Sequence, residues 1–151
     1  MDDRHTRRVK LDQELIEVLL RALPLGELDA DDEAAWARRA EALAEIATED
    51  IETAMIAGET GLNAEFRGIG GYREAWSDWL SPFAEYRSEV EEMHETPDGL
   101  LFFTRQWVTP RGSTGTIEGE GAGVLRFAER KLRRIEFHLD RVTARRAAGL
   151  A

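Results

Sequence analysis

The sequence predicts a single α+β domain in which a curved, mostly antiparallel sheet wraps around helices from the first half of the chain. In that half, apolar residues recur every three or four positions in three segments, the spacing of helices with one buried face. In the second half, four successive segments separated by turns are strand-like, and the first and last of them alternate between apolar and polar residues, as strands of an antiparallel meander do. The chain has 151 residues, and we place the domain at residues 11–151, after a disordered tail of residues 1–10.

Two amphipathic helices open the predicted domain. The first runs from about residue 12 to residue 23 and ends before Pro24. The second covers about residues 33–47 and follows an acidic turn in which Asp31 or Asp32 is placed to cap it. Each helix has one apolar stripe, so the pair must pack against another layer of structure.

A third predicted helix, about Gly71–Leu80, has the widest apolar face. Its apolar positions follow the spacing i, i+3, i+4, i+7, i+8 and i+11. They are Tyr72, Ala75, Trp76, Trp79, Leu80 and Phe83. Pro82 ends the helix. The preceding chain is predicted to form a short strand at residues 50–56 and a glycine-containing loop at residues 58–68.

The four meander strands are predicted at about residues 86–95, 100–109, 116–127 and 132–139. The turn between the first two contains the sequence Thr-Pro-Asp-Gly, whose residues favour reversal of the chain. The tail after the last strand is expected to add a final helical turn.

The composition narrows the classes of function. The net charge of −10 argues against nucleic acid, whose phosphates require a basic surface. No apolar run approaches the roughly 18 residues that a membrane span needs, and the N-terminus lacks the apolar segment of a signal peptide. We therefore expect a cytoplasmic protein. The chain has no cysteine and only three scattered histidines, so we expect neither a disulfide nor a metal site.

Several motifs in order resemble one family. They are Phe66-Arg67-Gly68, then Arg73-Glu74-Ala75-Trp76 with Trp79-Leu80, then Arg105-Gln106, and finally His138-Leu139-Asp140-Arg141. Over roughly residues 11–148 the chain resembles the SnoaL-like branch of the nuclear transport factor two superfamily. The resemblance implies a cone-shaped α+β fold, shared with ketosteroid isomerase and limonene epoxide hydrolase. The family often has tyrosine where this chain has His138.

The best catalytic candidates are Asp140 and His138, which we expect side by side inside the cone, with Asp140 as the general base. In a strand, residues two apart point to the same face, so these side chains can lie together, with Glu136 beside them. A carboxylate next to an imidazole can act as a base. The resemblance implies that Asp140 takes part in acid–base chemistry, as the matching aspartate does in cyclase relatives. The alternative is that Asp140 caps a helix in the tail and that the charged residues lie on a solvated strand face.

The predicted substrate-binding residues are an arginine and four aromatics. They are Arg105, Trp107, Tyr72, Trp76 and Trp36. Such aromatics suit the lining of a small-molecule pocket, although each can instead belong to the core. Arg105 shares a strand face with Trp107 and needs an anionic partner if it is buried; otherwise it lies at the rim with its stem on Trp107.

A row of glycines marks the third meander strand. Gly115, Gly119, Gly121 and Gly123 share one parity, so successive positions on one face lack side chains. The row can leave pocket volume, make room for a large aromatic, or permit the sheet to bend.

These features predict a small pocket enzyme of the cyclase, isomerase or epoxide-hydrolase type, acting without a cofactor on a hydrophobic small molecule. The alternative is a module of the same fold that binds a ligand without catalysis or only dimerises. We also expect a homodimer through the outer face of the meander, because residues 100–108 are apolar on both parities and so need covering on both sides.

Overall fold

The computed structural model describes residues 12–57 and 63–150, so the tail predicted at residues 1–10 lies outside the described residues. The helices are α1 (Gln13–Ala22), α2 (Glu33–Ile46), α3 (Gly68–Leu80) and α4 (Arg141–Ala147). The strands are β1 (Gly26–Glu27), β2 (Ala47–Ile56), β3 (Ala64–Arg67), β4 (Phe83–Thr96), β5 (Gly99–Pro110), β6 (Ile117–Ala128) and β7 (Lys131–His138).

One sheet contains all seven of these strands, in the order β1-β4-β5-β6-β7-β2-β3. The β2–β7 pair is parallel and every other pair is antiparallel. The α+β class and the meander β4–β7 are therefore confirmed. Two strands of the sheet, β1 and β3, were not predicted. They have two and four residues and are too short to show a periodic pattern.

Polar caps fix the starts of the helices. The Asp12 carboxylate accepts a hydrogen bond from the Leu15 amide at 2.8 Å, and Asp32 accepts one from the Ala35 amide at 3.1 Å. Of the two capping candidates for α2, the structure selects Asp32. Helix α3 begins at Gly68, three residues earlier than predicted, and Gly68 has a φ of +82° that favours glycine at this turn.

The sheet has two buried faces. The inner face packs against α1, α2 and α3 and includes Leu100, Phe102, Leu125 and Ile135. The outer face carries a smaller apolar cluster that packs against α4. That cluster consists of Leu101, Phe103, Ala122, Val124, Ala144 and Ala148. The second covering that the sequence requires over β5 is thus supplied by the chain's own C-terminal helix, so the apolar residues of β5 do not require a second subunit.

Candidate functional site

A narrow cleft lies between the inner face of the sheet and the helices. Its volume is about 30 Å³, which is room for about two water molecules. The residues around it are Pro24, Leu25, Trp76, Trp79, Tyr86, Ser88, Phe102, Thr104, Gln106, Gly121, Ala122, Phe137, His138 and Leu139. Leu139 is 43% exposed, which places it at the solvent side of the cleft.

One wall of the cleft is polar and comes from three adjacent strands. Ser88 on β4 pairs with Gln106 on β5, and Thr104 on β5 pairs with Gly121 on β6. The Thr104 hydroxyl donates to the Gln106 side-chain oxygen at 3.3 Å. A Cβ on Gly121 would lie 3.0 Å from both side chains, so the absence of a side chain there leaves them room.

Much of the remaining lining is aromatic. The Trp76 ring packs edge-on against Phe137 at 4.9 Å and against Tyr86 at 6.2 Å, between ring centroids. The Trp79 indole N–H donates to the Tyr86 hydroxyl at 3.3 Å. Burial raises the pKa of Tyr86, and the hydrogen bond from Trp79 only partly offsets this, so the phenol stays neutral near pH 7.

The indole nitrogen of Trp76 is the unusual group of this lining. It is buried and has no hydrogen-bond partner in the part of the chain that the structure describes. A buried donor without a partner is costly, because it has lost its water without gaining an acceptor. An acceptor on a bound molecule would satisfy it.

The glycine row shapes the inner face by leaving room for neighbouring side chains. An added Cβ on Gly123 would overlap the ring of Phe102, its neighbour on β5. Gly123 therefore provides room for a large aromatic, as one of the alternatives held. The Phe102 ring lies at the cleft and 6.5 Å from that of Phe137, so this glycine positions part of the lining.

Asp140 does not lie inside the cone, so its predicted position is wrong. It is exposed and caps α4: its carboxylate accepts hydrogen bonds from the Val142 amide at 3.0 Å and from the Thr143 hydroxyl at 2.6 Å. These two bonds, that from Thr143 first, hold the pKa of Asp140 below its usual value. Strand β7 ends at His138, so the alternation that was to align the two side chains stops before Asp140.

His138 is buried, but its side chain faces away from the cleft. It pairs across the sheet with Ala122 of the outer-face cluster, and its backbone oxygen lies beside Gly121 at the cleft. Its Nε2 lies 3.1 Å from a Glu136 oxygen, and its Nδ1 is buried without a partner among the described residues. The predicted pairing of His138 with Asp140 in the pocket is therefore also wrong in position.

Glu136 is the ionised centre of this outer-face group. Its carboxylate lies 2.8 Å from Arg134 and 3.5 Å from Arg126. Burial opposes ionisation, but hydrogen bonds from His138 and Arg134 and the charges of both arginines outweigh it and lower the pKa of Glu136 to about 2. Because an ionised carboxylate only accepts, His138 Nε2 is the donor to it.

Arg105 and Trp107 also lie on the outer face and do not reach the cleft. The Arg105 guanidinium lies 3.2 Å from Glu91 and 3.1 Å from both Glu118 and Glu120. Arg87 stacks over the Trp107 ring at 4.3 Å. The anionic partners expected for a buried Arg105 are present as side chains of neighbouring strands.

One of the three aromatic residues that were predicted on helices lines the cleft. Trp76 lines it, whereas Tyr72 and Trp36 belong to the core. The Tyr72 hydroxyl donates to the Ala22 carbonyl at 2.7 Å, and the Trp36 indole donates to the Asp29 carbonyl at 2.8 Å. Both polar ends are thus satisfied within the protein.

The polar wall was not predicted from the sequence, although a signal for it exists. Gln106, Thr104 and Phe102 pair in register with Gly119, Gly121 and Gly123. A glycine row marks the face with room for a site, so the residues paired with it are its natural lining. The prediction instead chose the opposite parity of β5, which carries Arg105 and Trp107.

Comparisons with known proteins bear on the fold and the family. Residues 32–135 match the family model of the SnoaL-like domain. The curated proteins contain no match to the chain. Among the residues that the structure describes, no helix combines the length and the apolar character needed to cross a membrane.

Three solved structures illustrate the likeness of fold. A Jannaschia sp. CCS1 protein, provisionally described as a SnoaL-like polyketide cyclase, has a TM-score of 0.62 and 14% identity, covering 95% of this chain and 97% of that one. An NTF2-like protein of unknown function from Burkholderia pseudomallei K96243 has a TM-score of 0.60, 15% identity and coverage of 91% and 98%. A protein with a ketosteroid isomerase-like fold from Catenulispora acidiphila DSM 44928, solved with trimethylamine, has a TM-score of 0.52, 14% identity and coverage of 78% and 88%.

Proposed function

From the premise that this chain belongs to the SnoaL-like domain family, we propose that its cleft binds the carbonyl end of an apolar small molecule. The observation that carries the proposal is the buried indole N–H of Trp76, a donor without an acceptor in the described structure. Ser88, Thr104 and Gln106 offer further polar contacts on the polar wall. Because the cleft is small, only the polar head of a ligand enters it, and the apolar remainder lies towards Leu139.

This geometry supports ligand binding without acid–base chemistry by an aspartate. Among the residues that the structure describes, no carboxylate lines the cleft, and the His138 imidazole faces the other side of the sheet. Tyr86 supports a second candidate, an isomerase- or cyclase-type activity. Its neutral hydroxyl accepts from Trp79 and keeps its own proton, which can stabilise an oxyanion on a substrate.

The effect of Trp76→Phe on ligand selectivity tests the binding proposal. Acetophenone and ethylbenzene have similar shapes, but only acetophenone has a carbonyl acceptor. We expect the wild type to prefer acetophenone and the variant to lose roughly fivefold of that preference, the equivalent of about 1 kcal/mol for one hydrogen bond. Titration calorimetry of both compounds with both proteins measures the ratio.

Trp79→Phe is the matched control, since the Trp79 indole already donates to Tyr86. It should reduce the acetophenone preference less than Trp76→Phe does. Equal preferences in wild type and Trp76→Phe would contradict the proposed role of the indole.

Substitutions of Asp140 distinguish a helix-capping role of this residue from a role as general base. Asparagine caps helices as well as aspartate does, whereas alanine does not. We expect Asp140→Asn to keep the thermal midpoint and any activity found, and Asp140→Ala to lower the midpoint. Loss of turnover in Asp140→Asn at an unchanged midpoint would restore the acid–base hypothesis.

A homodimer through the outer face of the meander stays a prediction. The support that remains for it lies beyond α4, where Trp107 on the outer face of β5 is partly exposed. The apolar residues beneath α4 no longer contribute to it, because the helix covers them.

A further inference from the structure

We infer that the groove between α1 and α2 is a second ligand site and that it binds an amphipathic carboxylate. The groove has a volume of about 480 Å³, within the range of ligand pockets. Its lining consists of Leu20, Arg21, Leu23, Leu25, Ala35, Arg38, Arg39, Glu41, Ala42 and Glu45. Leu25 lines both this groove and the cleft.

The charges of the groove are unevenly paired. Arg21 forms an ion pair with Glu45 at 3.4 Å. Arg38 and Arg39 form no ion pair within 4 Å in the part of the chain that the structure describes, and Glu41 pairs with neither. In a chain of net charge −10, with more carboxylates than cations, two adjacent arginines without a carboxylate partner leave a local excess of positive charge.

Arg39 is the more constrained of the two cations. Its guanidinium lies 4.6 Å from the centre of the Trp36 ring and donates to the Leu25 carbonyl at 3.4 Å. Burial lowers the pKa of Arg39, and the neighbouring charges of Arg38 and Arg73 add to this, while Tyr72 and Asp32 oppose it. A half-buried guanidinium in this position gains from an added anion, since a charge-assisted hydrogen bond is stronger than a neutral one.

The apolar residues of the groove indicate that the ligand has an apolar body as well as a charge. Leu20 is 47% exposed beside Leu23 and Leu25, an apolar surface next to the two cations. An inorganic anion would leave that surface in water. A carboxylate with an aromatic or aliphatic body would contact both parts, with its charge at Arg38 and Arg39 and its body towards Leu25.

The experiment compares 2-naphthoate with 2-naphthamide, which has the same ring system and no charge, by titration calorimetry on the full chain. We expect 2-naphthoate to bind more tightly, and Arg38→Gln to weaken its binding by about fivefold while leaving 2-naphthamide unaffected. Arg38→Lys should retain part of the affinity, because it keeps the charge. Arg145→Gln, on exposed α4, is the control with the same change of net charge and should have little effect.

Three results would overturn the inference. They are no binding of 2-naphthoate at millimolar concentration, equal losses in Arg38→Gln and Arg145→Gln, and a loss of 2-naphthoate binding in Trp76→Phe, which would place this ligand in the cleft. The site does not depend on the cleft proposal, so a failure of the acetophenone experiment leaves it intact.

Discussion

Replacing Gly123 with alanine is expected to lower the free energy of unfolding by about 2 kcal/mol. The added Cβ would overlap the Phe102 ring, which is buried and packed between the sheet and the helices. The ring cannot move towards the neighbouring strand without displacing other core side chains, since protein interiors are close-packed. Urea unfolding of the variant and the wild type measures the difference.

Gly119→Ala is the matched control on the same face of β6. A Cβ at Gly119 would meet only the Gln106 side chain, at 3.9 Å, an ordinary contact distance. We expect a change of less than about 0.5 kcal/mol for this variant. Similar losses for the two variants would mean that backbone conformation, and not the space for Phe102, explains the effect at Gly123.

The consequence of Gly123→Ala extends to the cleft. Phe102 lines the cleft, so a displaced ring changes its shape as well as the core. A sheet position that lacks a side chain is therefore part of the candidate site, although it contributes no chemical group.

The elements that were predicted correctly have either a periodic pattern or clear turn signals at both ends. Helix α3 has an apolar face over three turns, and β4 and β7 contain stretches that alternate between apolar and polar residues, whereas β5 and β6 were delimited by the turns that flank them. Helix α4 has seven residues and follows the last strand directly. A segment of that length shows too few turns for a periodic pattern, so its covering of the outer face could not be predicted.

The unpredicted covering of the outer face by α4 also explains part of the error in the site. Strand β5 is apolar on both parities, with Leu100 and Phe102 on the inner face and Leu101 and Phe103 on the outer face. Hydrophobicity therefore does not distinguish its two faces, and the parity of Arg105 was assigned to the pocket. His138 and Asp140 were placed in the cone for a different reason, their i, i+2 spacing and the resemblance to cyclase relatives. The aromatic lining was partly predictable, because Trp76 lies on the apolar stripe of α3.

Glu136→Gln is expected to destabilise the protein by about 3 kcal/mol at pH 7, because it leaves Arg126 and Arg134 with less compensation beneath α4. The effect should depend on pH. The pKa of Glu136 is about 2 in the folded protein, against 4.5 for the free side chain. A carboxylate whose pKa is lower in the folded than in the unfolded protein stabilises the fold at pH values above its unfolded pKa. This contribution is lost as the pH falls through its folded pKa.

The difference in unfolding free energy between wild type and Glu136→Gln should therefore be constant above about pH 5 and shrink between pH 5 and pH 2. Glu52→Gln is the control: Glu52 also pairs with Arg134, at 3.2 Å, but its side chain is 37% exposed, so its loss should cost less at pH 7. Urea unfolding of the three proteins across this range measures the difference. If it stays constant down to pH 2, the ionised Glu136 does not stabilise the outer face, and the cluster with His138 contributes through packing alone.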